Sequence, residues 1–149
     1  MFEFKELNLL TDGEIDLKIE EKIPADKKKG YAPAYRYRIT MHDSEDSIGV
    51  ISIRIGFSES LYYAGNIGYF INEAYRGNNY ALKACKIIKD VAIAHEMDRV
   101  IITCNPDNIP SRKTCEKAGL ELKGIVNLPT NNELYQSGER QKCIYEWSL

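Results

Sequence analysis

The sequence predicts one α+β domain, in which helices pack on a mixed sheet of about seven strands. Apolar and polar residues alternate in several short segments, which is typical of half-buried strands. Residues 77–95 instead carry an apolar stripe at helical spacing, and the short β-branched run at 100–104 is typical of a buried strand. Because 149 residues that are 44% apolar suit one core, residues 1–149 are predicted to form a single domain.

The predicted elements follow one another with short connections. The predicted strands cover residues 2–10, 15–20, 35–40, 48–55, 66–71, 100–104, 120–127 and 141–147. The predicted helices cover residues 77–95 and 109–118, and Gly119 suits the end of the second. Polar loops are expected at residues 24–33, 56–65 and 128–140. The order strand, helix, strand over residues 66–104 predicts a parallel pairing made by a right-handed crossover.

Composition argues against several classes of function. The net charge of −2 argues against a general nucleic-acid binder, and the apolar runs are too short to span a membrane. The first residues include early acids and no apolar core of a signal peptide, so a cytoplasmic protein is expected. The four cysteines form no CxxC pair, and the two histidines lie far apart in sequence. Buried thiols in a reducing compartment, and no metal site, are therefore predicted.

The segment AYRGNNYA at residues 74–81 is the most informative stretch of the chain. It lies between a predicted strand and the long predicted helix, where the first backbone N–H groups of the helix lack intrahelical partners. The helix dipole adds partial positive charge there, so the turn can hold an anion such as a phosphate. Arg76 can add charge-assisted hydrogen bonds, and Gly77 lets the backbone approach a ligand closely.

A second segment, NPDNIPSRKTCEKAGL at residues 105–120, follows the next apolar run. Together the two segments resemble the GNAT acetyltransferase superfamily. In that family, an Arg/Gln-x-x-Gly-x-Gly/Ala turn precedes a helix, and a later Asn-x-x-Ser opens another that ends in Glu-Lys-x-Gly-Phe/Leu. The matching residues of the second motif are Asn108, Ser111, Glu116, Lys117, Gly119 and Leu120. The resemblance covers residues 49–120.

The resemblance implies a GNAT-like acyl-CoA N-acyltransferase fold with splayed central strands, and acetyl-CoA as co-substrate without a metal. The residues expected to bind acetyl-CoA are Phe70, Ile71, Arg76, Gly77, Asn78, Asn79, Tyr80, Ala81, Asn108 and Ser111. Main-chain groups of Phe70 and Ile71 would hold the thioester end. Asn79 stands where the family usually has Gly. Asn108 either hydrogen-bonds the pantetheine amides or merely caps its helix.

The acid and the base of the reaction stay unassigned. Many family members carry a Tyr where this chain has Cys115, and some carry a Glu where it has Thr103. A thiol is a weak donor, and a threonine cannot act as the base. The candidates elsewhere are Glu59, Tyr63, Glu133 and Tyr135, with Tyr62 and Tyr69 in addition. A water chain, or direct attack by an already neutral amine, would need none of them.

The resemblance implies an N-acetyltransferase that acts by direct transfer in a ternary complex. The acceptor would be a small-molecule amine or a protein N-terminus. Family members usually have one or two helices after the first main strand, but this chain has only about a dozen residues at that place. The acceptor side is therefore expected to be open, or to be enclosed by the loops 56–65 and 128–140 or by a second subunit of a homodimer. The alternative is a CoA-binding sensor or structural module without catalysis, which the absence of the Tyr and the Glu favours.

Overall fold

The fold consists of short strands and four α-helices, and the computed structural model describes residues 2–149 of it. The strands are β1 (Leu10–Thr11), β2 (Ile15–Ile23), β3 (Ala34–Met41), β4 (Ser47–Arg54), β5 (Ile67–Ile71), β6 (Arg99–Cys104), β7 (Glu121–Asn127) and β8 (Gln141–Ser148). The helices are α1 (Glu59–Ala64), α2 (Tyr80–Ala94), α3 (Ile109–Lys117) and α4 (Glu133–Gln136). A single 3₁₀ turn, Glu73–Tyr75, lies between β5 and α2.

The strands form two sheets rather than the single mixed sheet that the sequence predicts. The first sheet has the order β1-β2-β3-β4-β5, and the second has the order β6-β8-β7. Every strand pair in the described chain is antiparallel, so the predicted parallel pairing of β5 with β6 is wrong. The α+β class and the splayed central strands are confirmed, because β5 and β6 face each other without forming a ladder.

Asn66 holds the two sheets together at one end of β5. Its backbone N–H donates to the Ile101 carbonyl at 2.6 Å, and its Oδ1 accepts from the Ile101 N–H at 2.8 Å. Its Nδ2 donates to the carbonyls of Arg54 and Gly56, both at 3.0 Å. This amide is only 1% exposed, and its hydrogen bonds offset the cost of burying it. The neighbouring Gly65 has φ +82°, and a Cβ there would lie 3.1 Å from the Thr103 nitrogen.

Helix α2 covers the first sheet with its apolar face. The buried residues of this face are Ala84, Cys85, Ile87, Ile88, Val91 and Ala92. They pack in one core with the inward side chains of β2, β4 and β5. Ile88 and Val91 are fully buried, and each contributes about 1.5–3 kcal/mol to stability through burial. The core therefore fixes the position of α2, and with it the turn that precedes the helix.

Several elements differ from those predicted. Residues 2–9 form no strand, because Phe4 and Leu7 pack on the core while the Lys5 N–H donates to the Tyr35 hydroxyl instead of a strand neighbour. The loop 56–65 contains α1, and the loop 128–140 contains α4. Helix α2 begins at Tyr80 rather than at residue 77. The connection 24–33 holds no helix, as the sequence predicts.

The four cysteines are buried free thiols, which confirms the prediction that they are buried and unpaired. Within residues 2–149, no helix is both long and apolar enough to cross a membrane. The longest helix, α2, has 15 residues.

Candidate functional site

A cavity of about 570 Å³ opens where the two sheets diverge. It lies between β5, the turn after β5, the first turn of α2 and the beginning of α3. Its lining residues are Tyr69, Phe70, Ile71, Tyr75, Arg76, Gly77, Tyr80, Ala81, Asn108, Pro110, Ser111 and Thr114. All the residues predicted to bind acetyl-CoA are among them except Asn78 and Asn79. Two segments far apart in sequence thus meet around one space.

The turn that leads into α2 has the geometry of an anion site. Gly77 has φ +87°, a left-handed conformation that strains any other residue. Asn79 is also left-handed, with φ +61°, and its side chain makes no capping bond to α2. The first N–H groups of the helix therefore have neither an intrahelical acceptor nor a side-chain cap. Asn78 shapes the turn, since its Nδ2 donates to the Tyr75 carbonyl at 3.1 Å.

Two cationic side chains lie at this turn. The Arg76 Nε donates to the Ile71 carbonyl at 2.8 Å, and its guanidinium carbon is 5.0 Å from the centre of the Phe70 ring. These contacts orient the guanidinium while using one of its five N–H donors. The Lys117 Nζ lies 3.3 Å from the Asn79 Oδ1, so α3 brings a second positive charge to the turn. The sequence motif includes Lys117 but does not predict this placement.

The beginning of α3 forms the opposite wall of the cavity. The Asn108 Oδ1 accepts from the Ser111 N–H at 3.3 Å, so Asn108 caps the helix and lines the cavity at the same time. The Tyr69 hydroxyl of β5 donates to the Ser111 Oγ at 3.3 Å across the gap. The Asn105 Oδ1 is buried without a hydrogen-bond partner among the described residues.

Tyr69 and Thr114 line the cavity although they were not predicted to bind the ligand. Thr114 follows Ser111 by three residues and so shares its helix face, which is a signal that the sequence contained. Burial raises the pKa of Tyr69 to about 12, while its bond to Ser111 acts in the opposite direction. The phenol therefore stays protonated, and able to donate, throughout the neutral pH range. Tyr69 was a candidate for acid or base, whereas Thr114, Tyr75 and Pro110 were not predicted as site residues at all.

The two positions where the family pattern is broken do not supply an acid or a base. Cys115 is fully buried and does not line the cavity, and burial raises the pKa of its thiol far above neutrality. The Thr103 hydroxyl donates to the Tyr63 carbonyl at 2.8 Å and so ties the end of α1 to β6. Both side chains have structural roles here.

Of the six candidates for acid or base, only Tyr69 lines the cavity, and Glu59, Tyr62, Tyr63, Glu133 and Tyr135 do not. Glu59 and Tyr63 are on α1, where Tyr63 packs edge-on against Tyr62 with ring centres 5.1 Å apart. Glu133 and Tyr135 are on α4. The Tyr31 hydroxyl donates to the Glu133 carboxylate at 3.2 Å, which joins α4 to the loop 24–33. The negative charge of Glu133 raises the pKa of Tyr31.

One group of side chains in the described chain has the spacing of metal ligands. Asp16, His42 and Asp43 have ligand atoms within 4.8 Å of one another. Both imidazole nitrogens already face carboxylates, Nδ1 at 2.8 Å from Asp16 and Nε2 at 3.2 Å from Asp43. This arrangement is that of a protonated histidine between two acids, and none of the three lines the cavity.

The chain is similar to known acetyltransferases in sequence. A family model described as an acetyltransferase (GNAT) domain matches residues 7–121. An uncharacterized N-acetyltransferase, YnaD from Bacillus subtilis (strain 168), is 28% identical over 162 aligned positions. That alignment covers 99% of this chain and 93% of YnaD.

Solved acetyltransferase structures share the fold. The microcin C7 self-immunity acetyltransferase MccE, solved with acetyl-CoA and AMP, superposes with a TM-score of 0.61 at 22% identity. The match covers 78% of this chain but only 61% of the MccE chain. RimL, a ribosomal L7/L12 alpha-N-protein acetyltransferase solved with coenzyme A, superposes with a TM-score of 0.69 at 14% identity. Here the match covers 95% of this chain and 98% of RimL.

Proposed function

The chain belongs to the GNAT acetyltransferase family, and we propose that it transfers the acetyl group of acetyl-CoA to a primary amine. The observation that carries this proposal is the cavity between the diverging sheets, which has at one end a turn with the geometry of an anion site and along its side the backbone of β5. A pyrophosphate and a thioester that are joined by a long, narrow arm fit such a space. Acetyl-CoA has these parts in this order.

In the proposed complex, the pyrophosphate lies on the turn 76–81. The free N–H groups at the beginning of α2 and the guanidinium of Arg76 would bind it, with Lys117 adding positive charge. Asn78 and Asn79 would act by holding the shape of the turn. The pantetheine arm would run along β5 towards Asn66, with main-chain groups of Phe70 and Ile71 on one side and the side chains of Asn108 and Ser111 on the other.

The reaction we propose is direct attack of the amine on the thioester carbonyl. Backbone N–H groups beside the diverging strands would stabilise the negative charge that develops on the carbonyl oxygen. Binding both substrates together lowers the entropic cost of their meeting. No covalent enzyme intermediate is needed, and the buried Cys115 is unsuited to form one.

The acceptor site is proposed to lie beside α1 and α4, within the loops 56–65 and 128–140. Glu59 and Glu133 are exposed there and would attract a positively charged amine. Either carboxylate, or a tyrosine of the same segments, could relay the proton of the amine to solvent. The acceptor is a small-molecule amine or a protein N-terminus, and RimL, whose name specifies an alpha-N-protein acetyltransferase, shares the fold.

The test is a pair of measurements on the purified protein. Calorimetry is expected to give saturable binding of acetyl-CoA, and mass spectrometry is expected to detect acetylated products from a panel of small amines and N-terminal peptides. Binding of acetyl-CoA without any acetylated product would favour the alternative, a CoA-binding module without catalysis. Absence of both binding and product would contradict the proposal.

A further inference from the structure

A hydrogen-bond donor beside the sulfur favours departure of the CoA thiolate, and Cys115 on α3 does not provide one. When the carbon–sulfur bond of the thioester breaks, its electron pair goes to the sulfur, and a hydrogen bond to that sulfur lowers the barrier. Cys115 is fully buried outside the cavity and cannot reach the sulfur. If the proposed function holds, a hydroxyl that lines the cavity is the candidate for this donor.

Tyr69, on strand β5, presents a hydroxyl to the cavity. Its phenol lines the cavity, and its hydroxyl reaches across to the Ser111 Oγ at 3.3 Å. The ring packs partly against the core, which limits its movement. The Ser111 N–H is in turn bonded to Asn108, so the partner of the phenol is also held in position. The hydroxyl is thus oriented towards the gap before any ligand binds.

The position of Tyr69 along β5 places its hydroxyl near the reacting end of the ligand. The turn 76–81 follows one end of β5, and the junction between Asn66 and Ile101 closes the other end. Tyr69 is three residues from that junction, roughly 10 Å along a strand. It is also the lining residue of β5 nearest to the junction. An arm anchored at the turn and extended along β5 would therefore bring its sulfur towards Tyr69.

We infer that the Tyr69 hydroxyl donates a hydrogen bond to the leaving sulfur and stabilises the CoA thiolate. Its single proton then turns from the Ser111 Oγ to the sulfur, and the Ser111 hydroxyl donates to the phenol oxygen in its place. The amine nitrogen bonds to the carbonyl carbon, the carbon–sulfur bond breaks, and the electron pair goes to the sulfur. The proton that the amine loses reaches the sulfur through solvent, so the products are the amide and the free thiol. Tyr69 is unchanged at the end of the cycle.

A Tyr69 hydroxyl that only joined β5 to α3, and made no contact with the sulfur, would give a different experimental result. Tyr69→Phe keeps the ring and removes only the hydroxyl. If the hydroxyl had only this structural role, its loss would lower the unfolding temperature and the affinity for CoA but would leave the pKa of the bound thiol unchanged. A sulfur donor affects the thiol directly. Tyr37→Phe is the control, because it removes another tyrosine hydroxyl from the core side of the first sheet, away from the cavity.

The experiment follows CoA labelled with carbon-13 at the carbon next to sulfur, bound to the protein, by NMR across a pH range. We expect the pKa of the bound thiol to lie about one unit or more higher in Tyr69→Phe than in the wild type, because a charge-assisted hydrogen bond is lost. Tyr37→Phe should match the wild type. With any acceptor found in the amine panel, kcat should fall about 100-fold in Tyr69→Phe while the KM for acetyl-CoA stays unchanged.

The outcomes separate the two proposals because the titration needs no acceptor. An equal thiol pKa in wild type and Tyr69→Phe, with CoA bound to both, overturns the role of Tyr69 and leaves the proposed function standing. A lower unfolding temperature of Tyr69→Phe with an unchanged thiol pKa would show that the hydroxyl only joins β5 to α3, and would overturn the inference as well. Failure of the wild type to bind CoA at all contradicts the proposed function together with the inference.

Discussion

Arg76 is the side chain on which cofactor binding should depend most. Its guanidinium is already oriented by Ile71 and Phe70, so little entropy is lost when it binds a phosphate. We expect Arg76→Ala to raise the dissociation constant of acetyl-CoA about tenfold or more, since a charge-assisted contact contributes about 1.5–3 kcal/mol. Calorimetry measures this change, and the unfolding temperature should stay nearly the same.

The matched control for Arg76 is Arg36→Ala. Arg36 is a partly exposed arginine on β3 that pairs with Glu20 and does not line the cavity. Its removal changes the net charge equally and should leave acetyl-CoA affinity unchanged. Equal affinities of the Arg76→Ala variant and the wild type would show that the turn is not the anion site.

Cys115 should be dispensable for chemistry. The thiol is buried among core residues and does not face the cavity. Cys115→Ala should keep activity within about tenfold of the wild type, because the buried thiol contributes only to core packing. Cys115→Ser should be less stable, by about 1–3 kcal/mol, since it buries a hydroxyl. An acylated enzyme seen by mass spectrometry, and lost in the Cys115→Ala variant, would contradict direct transfer.

At the scale of elements, the helices α1 and α4 are where the acceptor site is expected. Glu59→Gln, Tyr63→Phe, Glu133→Gln and Tyr135→Phe each remove one charge or hydroxyl from these segments. We expect at least one of them to raise the KM for the amine or to lower kcat about tenfold or more, without altering acetyl-CoA affinity. Steady-state kinetics with an identified acceptor measures this effect.

The control for the acceptor site is Glu121→Gln, on the edge strand β7, which removes an exposed carboxylate that belongs to neither helix. Wild-type kinetics in all four variants of α1 and α4 would place the acceptor elsewhere, beside the loop 24–33 or a second subunit.

The turn between β3 and β4 should give the fold a measurable pH dependence. The hydrogen bond with Asp16 raises the pKa of His42 above its ordinary value. Burial alone would raise the pKa of Asp16, but its bonds to Thr11, His42 and the Asp43 N–H lower it overall. The histidine then contributes stability that is fully present below its unfolded pKa of about 6.5 and is lost as pH rises through the higher folded value. The aspartate contributes above about pH 4 and loses its contribution in acid.

The measurement is the unfolding temperature of the wild type and of His42→Gln. The unfolding temperature of the wild type should exceed that of His42→Gln by the largest amount near pH 5.5, which lies between about 4 and 6.5, and by a smaller amount near pH 8.5. A difference that stays constant between these two pH values would contradict a charged His42–Asp16 pair.

Elements with a strong period were predictable, and short ones were not. β5, α2, β6 and α3 lie close to their predicted positions because each buries a periodic apolar face or begins at a recognisable cap. α1 and α4 have six and four residues, which is too short for a helical period to be seen. Their caps, Ser58 and Asn132, were the remaining signals. Residues 2–9 alternate like a strand, yet nothing local reveals that Tyr35 takes up the Lys5 N–H.

At the scale of the whole molecule, the site results from two sheets that are held together at one point and diverge from it. The family resemblance predicted eight of the twelve residues that line the cavity, because the turn before α2 and the beginning of α3 are local signals. They could not predict the number of sheets, since the distance between β5 and β6 depends on the buried amide of Asn66 and on Gly65 against Thr103. Nor could they reveal Tyr69 opposite Ser111, a contact between residues 42 positions apart.

The most direct test of the proposed binding mode is a crystal structure of the protein with CoA bound. We expect CoA to lie between β5 and α3, with its pyrophosphate on the N–H groups that begin α2 and within hydrogen-bond distance of Arg76. Its sulfur should lie beside Tyr69. CoA bound at saturation on any other surface, with the cavity between the two sheets still unfilled, would contradict the proposed binding mode.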